Sequence, residues 1–161
     1  METERMTSIY KRIAKCIHEM IPCEWEKTWL YAEILDDSAS VIFYFLQPED
    51  DELVYAHHIP TQFGLSKDIY IELLLSLQEE LEKLKEEFKQ NNVEIWTTIS
   101  LQLEWSGAFS ITYGYEDVFS IDLNGYQRKT VWKYKTFGIL PDDEEDKKAV
   151  LNYIKNEEGN N

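Results

Sequence analysis

Apolar positions change period several times along the chain, and each change marks an element. Over residues 5–20, Ile9, Ile13 and Ile17 recur at every fourth position, flanked by Met6, Ala14 and Met20. This spacing predicts a helix with one buried stripe, stopped by Pro22. Residues 26–35 and 39–47 are aromatic and β-branched runs parted by Asp36-Asp37-Ser38, which predicts two strands. From Val41 to Leu46 both faces are apolar, as in a strand covered on each side. A shorter third strand over residues 53–59 is expected after the acidic turn Glu49-Asp50-Asp51-Glu52.

A long helix is predicted from Ser66 to Gln90. Ser66 is placed as N-cap and Asp68 in the first turn, with a stripe of Leu74, Leu77, Leu81, Leu84 and Phe88 and an i,i+4 pair of Glu79 with Lys83. Its heptad-like stripe lasts about two repeats, short of a coiled coil, so it is read as facing a core. Residues 94–105 then alternate strictly. Ile95, Thr97, Ile99, Leu101, Leu103 and Trp105 share one face, and Glu94, Trp96, Thr98, Ser100, Gln102 and Glu104 the other. Ser106-Gly107 turns the chain into a partner strand carrying Phe109, Ile111, Tyr113 and Tyr115. Asn124-Gly125 reads as a hairpin signal, which makes Tyr126–Phe137 a further strand. Pro141 and the acids after it open a last helix, packed through Val150, Leu151 and Ile154.

The resulting order, α-β-β-β-α-β-β-(β)-α, predicts an α+β fold with a mainly antiparallel sheet and a long central helix packed on it. Residues 1–156 are expected to form a single domain, and 157–161 a frayed acidic tail.

Composition narrows the function. The 161 residues are 43% hydrophobic, enough for one sizeable core. The acidic N-terminus does not read as a signal peptide, and no apolar run approaches a membrane span, so a cytoplasmic location is expected. Cys16 and Cys23 are read as reduced thiols. With 31 acids against 16 bases the net charge is −15, which repels nucleic acid and anionic membranes and favours basic partners. The acids concentrate in residues 23–62 and 93–125, whereas residues 126–138 hold Arg128, Lys129, Lys133 and Lys135 and no acid.

Catalytic chemistry finds little footing. No glycine-rich phosphate loop and no GxSxG occur. Cys16 and His18 are two apart on a helix and point in different directions. His57-His58 would face opposite sides of a strand, and the run Asp142–Asp146 lacks the spacing and glycine of a calcium loop. No catalytic residue, cofactor or metal site is therefore assigned, and the chain is read as a non-enzyme. Attention moves to the surface. Trp96, between Glu94 and Thr98 on the polar face, is either an exposed binding anchor or a side chain packed beneath a helix.

Particular residues add a resemblance. Met20-Ile21-Pro22-Cys23-Glu24-Trp25-Glu26-Lys27, running into Tyr31-Ala32-Glu33-Ile34, resembles the opening of the YezG/EsaG-type antitoxin family. Phe43-Tyr44-Phe45 falls where that family has its next aromatic strand. Trp96, Ser106-Gly107 with Phe109, and Tyr115-Glu116-Asp117 look like its middle motif. Arg128, Trp132-Lys133-Tyr134 and Gly138 look like its closing motif. The resemblance spans about residues 5 to 155; Ala108 departs from it, standing where the family has a small basic or polar residue.

The resemblance implies an immunity protein that neutralises a cognate toxin, typically a type VII-secreted nuclease with an LXG-type N-terminal region. Acidity agrees, because a nuclease presents a basic groove to the phosphate backbone. The residues expected to meet the toxin are Glu49, Asp50, Asp51, Glu52, Glu116 and Asp117 for steering, and Trp96 and Tyr115 for anchoring. The free chain is expected to be a monomer or weak dimer. The rival readings are an adaptor or secretion chaperone that escorts the toxin without inhibiting it, and an enzyme whose site the sequence does not reveal.

Overall fold

Residues 2–159 are described by the structure, a computed structural model. The chain divides into two compact units, Met1–Glu116 and Asp117–Asn161.

In the first unit, helix α1 spans Glu4–Met20. Thr3 caps it, its hydroxyl accepting from the Met6 N–H at 3.1 Å, and Met6, Ile9, Ile13, Ile17 and Met20 are buried. Strands β1 (Lys27–Ile34), β2 (Ala39–Leu46) and β3 (Val54–Tyr55) follow. A 3-10 turn at Ala56–His58 leads into the short helix α2 (Ile59–Phe63), which ends at Gly64 with φ +69°. Helix α3 (Lys67–Gln90) starts at Ser66, as predicted. Strands β4 (Thr98–Glu104) and β5 (Phe109–Gly114) complete an antiparallel sheet of order β3-β2-β1-β4-β5.

One face of the sheet carries Leu30, Ala32, Ile34, Val41, Phe43, Phe45, Ile99, Leu101 and Leu103, which join the α1 and α3 stripes in one core. The two helices lie side by side and exchange charge as well as apolar contact. Arg12 Nε reaches Glu80 at 2.9 Å and Arg5 Nε reaches Glu87 at 3.3 Å, which pairs two acids that burial would otherwise penalise. Lys83 pairs with Glu80 at 3.2 Å rather than with Glu79, because Glu80 is turned toward α1.

Three expectations in this unit need correcting. The third strand is two residues long, not seven: Pro60 lies in the first turn of α2, where its missing N–H costs nothing. Strand β4 begins at Thr98, so the alternation read from Glu94 does not extend to Ile95 and Trp96. At the other end Trp105 leaves the ladder for the hairpin turn instead of continuing the buried face.

The second unit is helical. A 3-10 turn at Val118–Ser120 precedes α4 (Gly125–Phe137) and α5 (Glu144–Gly159). Residues 126–137, expected as a strand, are thus helix. Asn124 acts as an N-cap: its Oδ1 accepts from the Gln127 N–H at 2.8 Å, and Gln127 Oε1 accepts from the Asn124 N–H at 3.1 Å. This reciprocal box satisfies donors that a helix start leaves open. Gly138 closes α4 at φ +73°. Leu123, Val131 and Val150 form a small core with Tyr134, Leu140, Tyr153 and Ile154, while Leu151, expected to pack, is exposed. Gln127 Nε2 also donates to Asp146 Oδ1 at 3.0 Å, and Lys135 pairs with Glu157. Helix α5 runs to Gly159, so Glu157–Gly159, assigned to a tail from sequence, are helical; the last two residues of that tail lie outside the described residues.

Candidate partner-binding surface

Strand register places the residues singled out from the sequence. Lys27 pairs with Leu46 on one side and Glu104 on the other, so the loops after β2, before β1 and after β4 emerge at one end of the sheet. The acidic turn lies there. Asp50 N–H donates to the Gln47 carbonyl at 3.2 Å, and Glu52 N–H to Asp50 Oδ1 at 3.0 Å. Glu49 adopts a left-handed φ of +61°, and all four acids from Glu49 to Glu52 are exposed.

Tyr115 and Glu116 are at the opposite end, beyond the pairing of Thr98 with Gly114. Tyr115 is 45% exposed, and the Glu116 carbonyl accepts from Thr97 Oγ1 at 2.8 Å. Asp117, exposed, caps the 3-10 turn after it, accepting from the Phe119 N–H at 3.1 Å and from Ser120 Oγ at 2.8 Å. Along the strands the Lys27–Glu104 end and the Thr98–Gly114 end are roughly 20 Å apart at the usual rise per residue. The Glu49–Glu52 turn and Glu116 therefore do not form one patch.

Trp96 takes the packing alternative. Its ring is fully buried, 5.5 Å from Tyr113 and 6.2 Å from Phe88, with the Lys85 ammonium 5.9 Å away. A side chain with no accessible surface in this conformation cannot anchor a partner. Trp105 and Phe109, which sequence reasoning did not select, are 59% and 50% exposed beside the hairpin turn. The signal for them was Trp105's place immediately before Ser106-Gly107, where the ladder must end.

Titratable groups elsewhere serve structure. His57 and His58 are on the 3-10 turn, not on a strand; both rings meet Tyr55 edge-on at 5.0 and 5.1 Å, and His57 Nδ1 lies 2.8 Å from the Tyr70 hydroxyl. Burial, with Glu80 and Glu19 nearby, pushes the Cys16 thiol up, away from the thiolate a nucleophile needs. Lys85 donates to the Ile34 carbonyl, and burial holds its ammonium below the usual lysine range. It borders a polar cleft of about 480 Å³ between α3 and the turn Asp36-Asp37-Ser38. Among the described residues, no cluster of three or more His, Cys, Asp or Glu is placed to hold a metal, and no helix is long and apolar enough to cross a membrane.

Comparison with known proteins supplies the class. Residues 6–151 match the family model described as "Immunity protein YezG-like", and the chain belongs to that family of immunity proteins. It is 51% identical over 159 residues to the protein named Immunity protein YezG of Bacillus spizizenii, covering 99% of both chains. It is 43% identical to the protein of the same name from Bacillus subtilis, over 92% of this chain and 99% of the other. It is also 32% identical to the Type VII secretion system protein EsaG of Staphylococcus aureus, over 94% and 95% of the two lengths.

Proposed function

We propose that this chain is a non-enzymatic antitoxin that binds a cognate type VII-secreted nuclease in the cytoplasm and neutralises it by protein–protein contact. The observation that carries the reading is the end-to-end similarity to a protein named as an immunity protein, 51% identical over 99% of both lengths. The net charge of −15 fits a nuclease partner, whose groove must be basic to hold nucleic acid. The exposed Glu49–Glu52 turn then acts at long range, raising the encounter rate, while Tyr115, Glu116 and Asp117 offer a separate, smaller contact. Residues 1–156 serve this one role together, and the free chain is a monomer or weak dimer.

The test is co-expression with the toxin encoded beside this chain, followed by purification and assay of DNA and RNA cleavage. A stable complex with cleavage suppressed supports the reading. A stable complex that still cuts assigns the chain to escort rather than immunity, and the absence of any complex removes the toxin as partner.

A further inference from the structure

The acidic end of the sheet holds more than charge. Trp105 follows β4 at this end, its backbone N–H donating to the Glu26 carbonyl at 2.9 Å, while the Glu26 N–H donates to the Leu46 carbonyl at 2.8 Å. Its indole meets the buried Trp25 edge-on at 5.6 Å and lies 5.1 Å from the exposed His18 ring at the end of α1. Phe109, first residue of the edge strand β5, packs 5.7 Å from Tyr10. Each large ring is thus fixed on one side and open on the other, with exposures of 59% and 50%.

At the same end of the sheet the chain places Glu24, Glu26 and Glu104, all exposed, and the Glu49–Glu52 turn. The nearest base along these segments is Lys27, whose ammonium lies over the Trp29 ring at 5.1 Å. The ion pairs at α1 and α3 engage other acids, Glu87, Glu80 and Glu19.

We infer that Trp105 and Phe109 form the apolar centre, and Glu24, Glu26 and Glu104 the acidic rim, of the surface that docks a basic face of the toxin. This rests on the immunity reading above and locates its contact. Pre-positioned aromatics lose little rotamer freedom on binding, and aromatic centres ringed by polar groups carry most of the energy of protein interfaces. Seven carboxylates against one lysine at this end of the sheet select a cationic partner over a neutral or acidic one. The centre governs how long the complex lasts, and the rim how fast it forms.

The experiment uses the full chain and the nuclease domain of the neighbouring toxin, inactivated by mutation, with association and dissociation rates followed across a salt series. Trp105→Ala and Phe109→Ala should each weaken binding, Trp105→Ala by about 30-fold or more, mainly through faster dissociation. Glu26→Lys with Glu104→Lys should instead slow association and flatten its salt dependence. Phe119→Ala removes an aromatic that is 73% exposed in the second unit and should leave both rates unchanged. Circular dichroism and thermal unfolding keep loss of fold apart from loss of contact, and Phe109→Ala serves if Trp105→Ala does not fold. Wild-type binding with both alanine variants within about twofold of it would overturn this surface and leave the immunity reading standing. A Trp105→Ala effect on self-association alone would assign the surface to a second copy of the chain and overturn the proposal. If the wild-type chain itself fails to bind, the immunity reading falls first.

Discussion

The indole of Trp96 fills space between Phe88 and Tyr113, and its removal leaves a hole in the core of the first unit. Trp96→Ala should cost about 3–5 kcal/mol, read from urea unfolding; a loss below about 1 kcal/mol would mean the site collapses around the gap. A second tight point is Gly114, which pairs across β4 with Thr98. A Cβ built there would stand 2.2 Å from Thr98 Oγ1, so Gly114→Ala should cost about 1–3 kcal/mol. In a Thr98→Ala background the same change should be nearly free, and additive losses in the double-mutant cycle would refute the clash. For Trp96 the sequence offered burial beneath a helix as one of two alternatives without deciding between them, and for Gly114 it offered nothing. Period two assigns Trp96 to a face only if the strand reaches it, and β4 starts two residues later. Gly114 carries no pattern of its own; its meaning comes from a strand register set by tertiary pairing.

Helix α4 shows the same problem on a larger scale. Asn-Gly favours hairpin turns, but Asn also caps helices, and the residues downstream decide between the two. Here Gln127 completes a capping box and Val131 and Tyr134 fall on one face, a signal present in the sequence and outweighed by the dipeptide. Asn124→Ala should therefore destabilise α4 by about 1 kcal/mol, whereas Asn124→Gly should cost less than alanine does. Amide exchange of residues 126–130 would report it, and equal effects of the two changes would deny Asn124 its capping role. Where one period ran long enough, the elements were legible: α1, α3, β1 and β2 emerge within a residue or two of their predicted ends. The short β3 was not, because two paired residues are fixed by neighbours rather than by their own pattern. The candidate surface was half legible for the same reason. Runs of acid are visible in one dimension, but the opposite-end placement of residues 49–52 and 115–116 exists only after the sheet is assembled.

At the scale of the molecule, charge and buried phenols lead to separate predictions. If the Glu49–Glu52 turn steers a basic toxin, changing all four residues to Lys should slow association and weaken its salt dependence; unchanged kinetics would remove the turn from the account. Alkaline stability depends on other groups. Burial raises the ionisation of Tyr10, Tyr55, Tyr70 and Tyr113 above the ordinary value near 10. Above that pH the unfolded chain releases these protons while the folded chain keeps them. The first unit is therefore unaffected by them below about pH 10 and loses stability as pH rises through the folded values. Phenolate absorbance should show these tyrosines ionising together with unfolding, and a smooth titration of all ten at ordinary pH values would contradict the burial.

The sheet order also sets a clock. Central strand β1 pairs with β2 after a short turn, but its other neighbour, β4, arrives only when the chain from Ile34 to Thr98 has been made. At ordinary synthesis rates of about 5–20 residues per second, that leaves the hairpin waiting for several seconds at the ribosome. Trp105 and Phe109 come later still, so a nascent chain has no finished aromatic surface while most of the first unit is already made. If Trp105 and Phe109 anchor the toxin as inferred above, a chain still short of them cannot grip it, and binding begins only once the β4–β5 hairpin has been made.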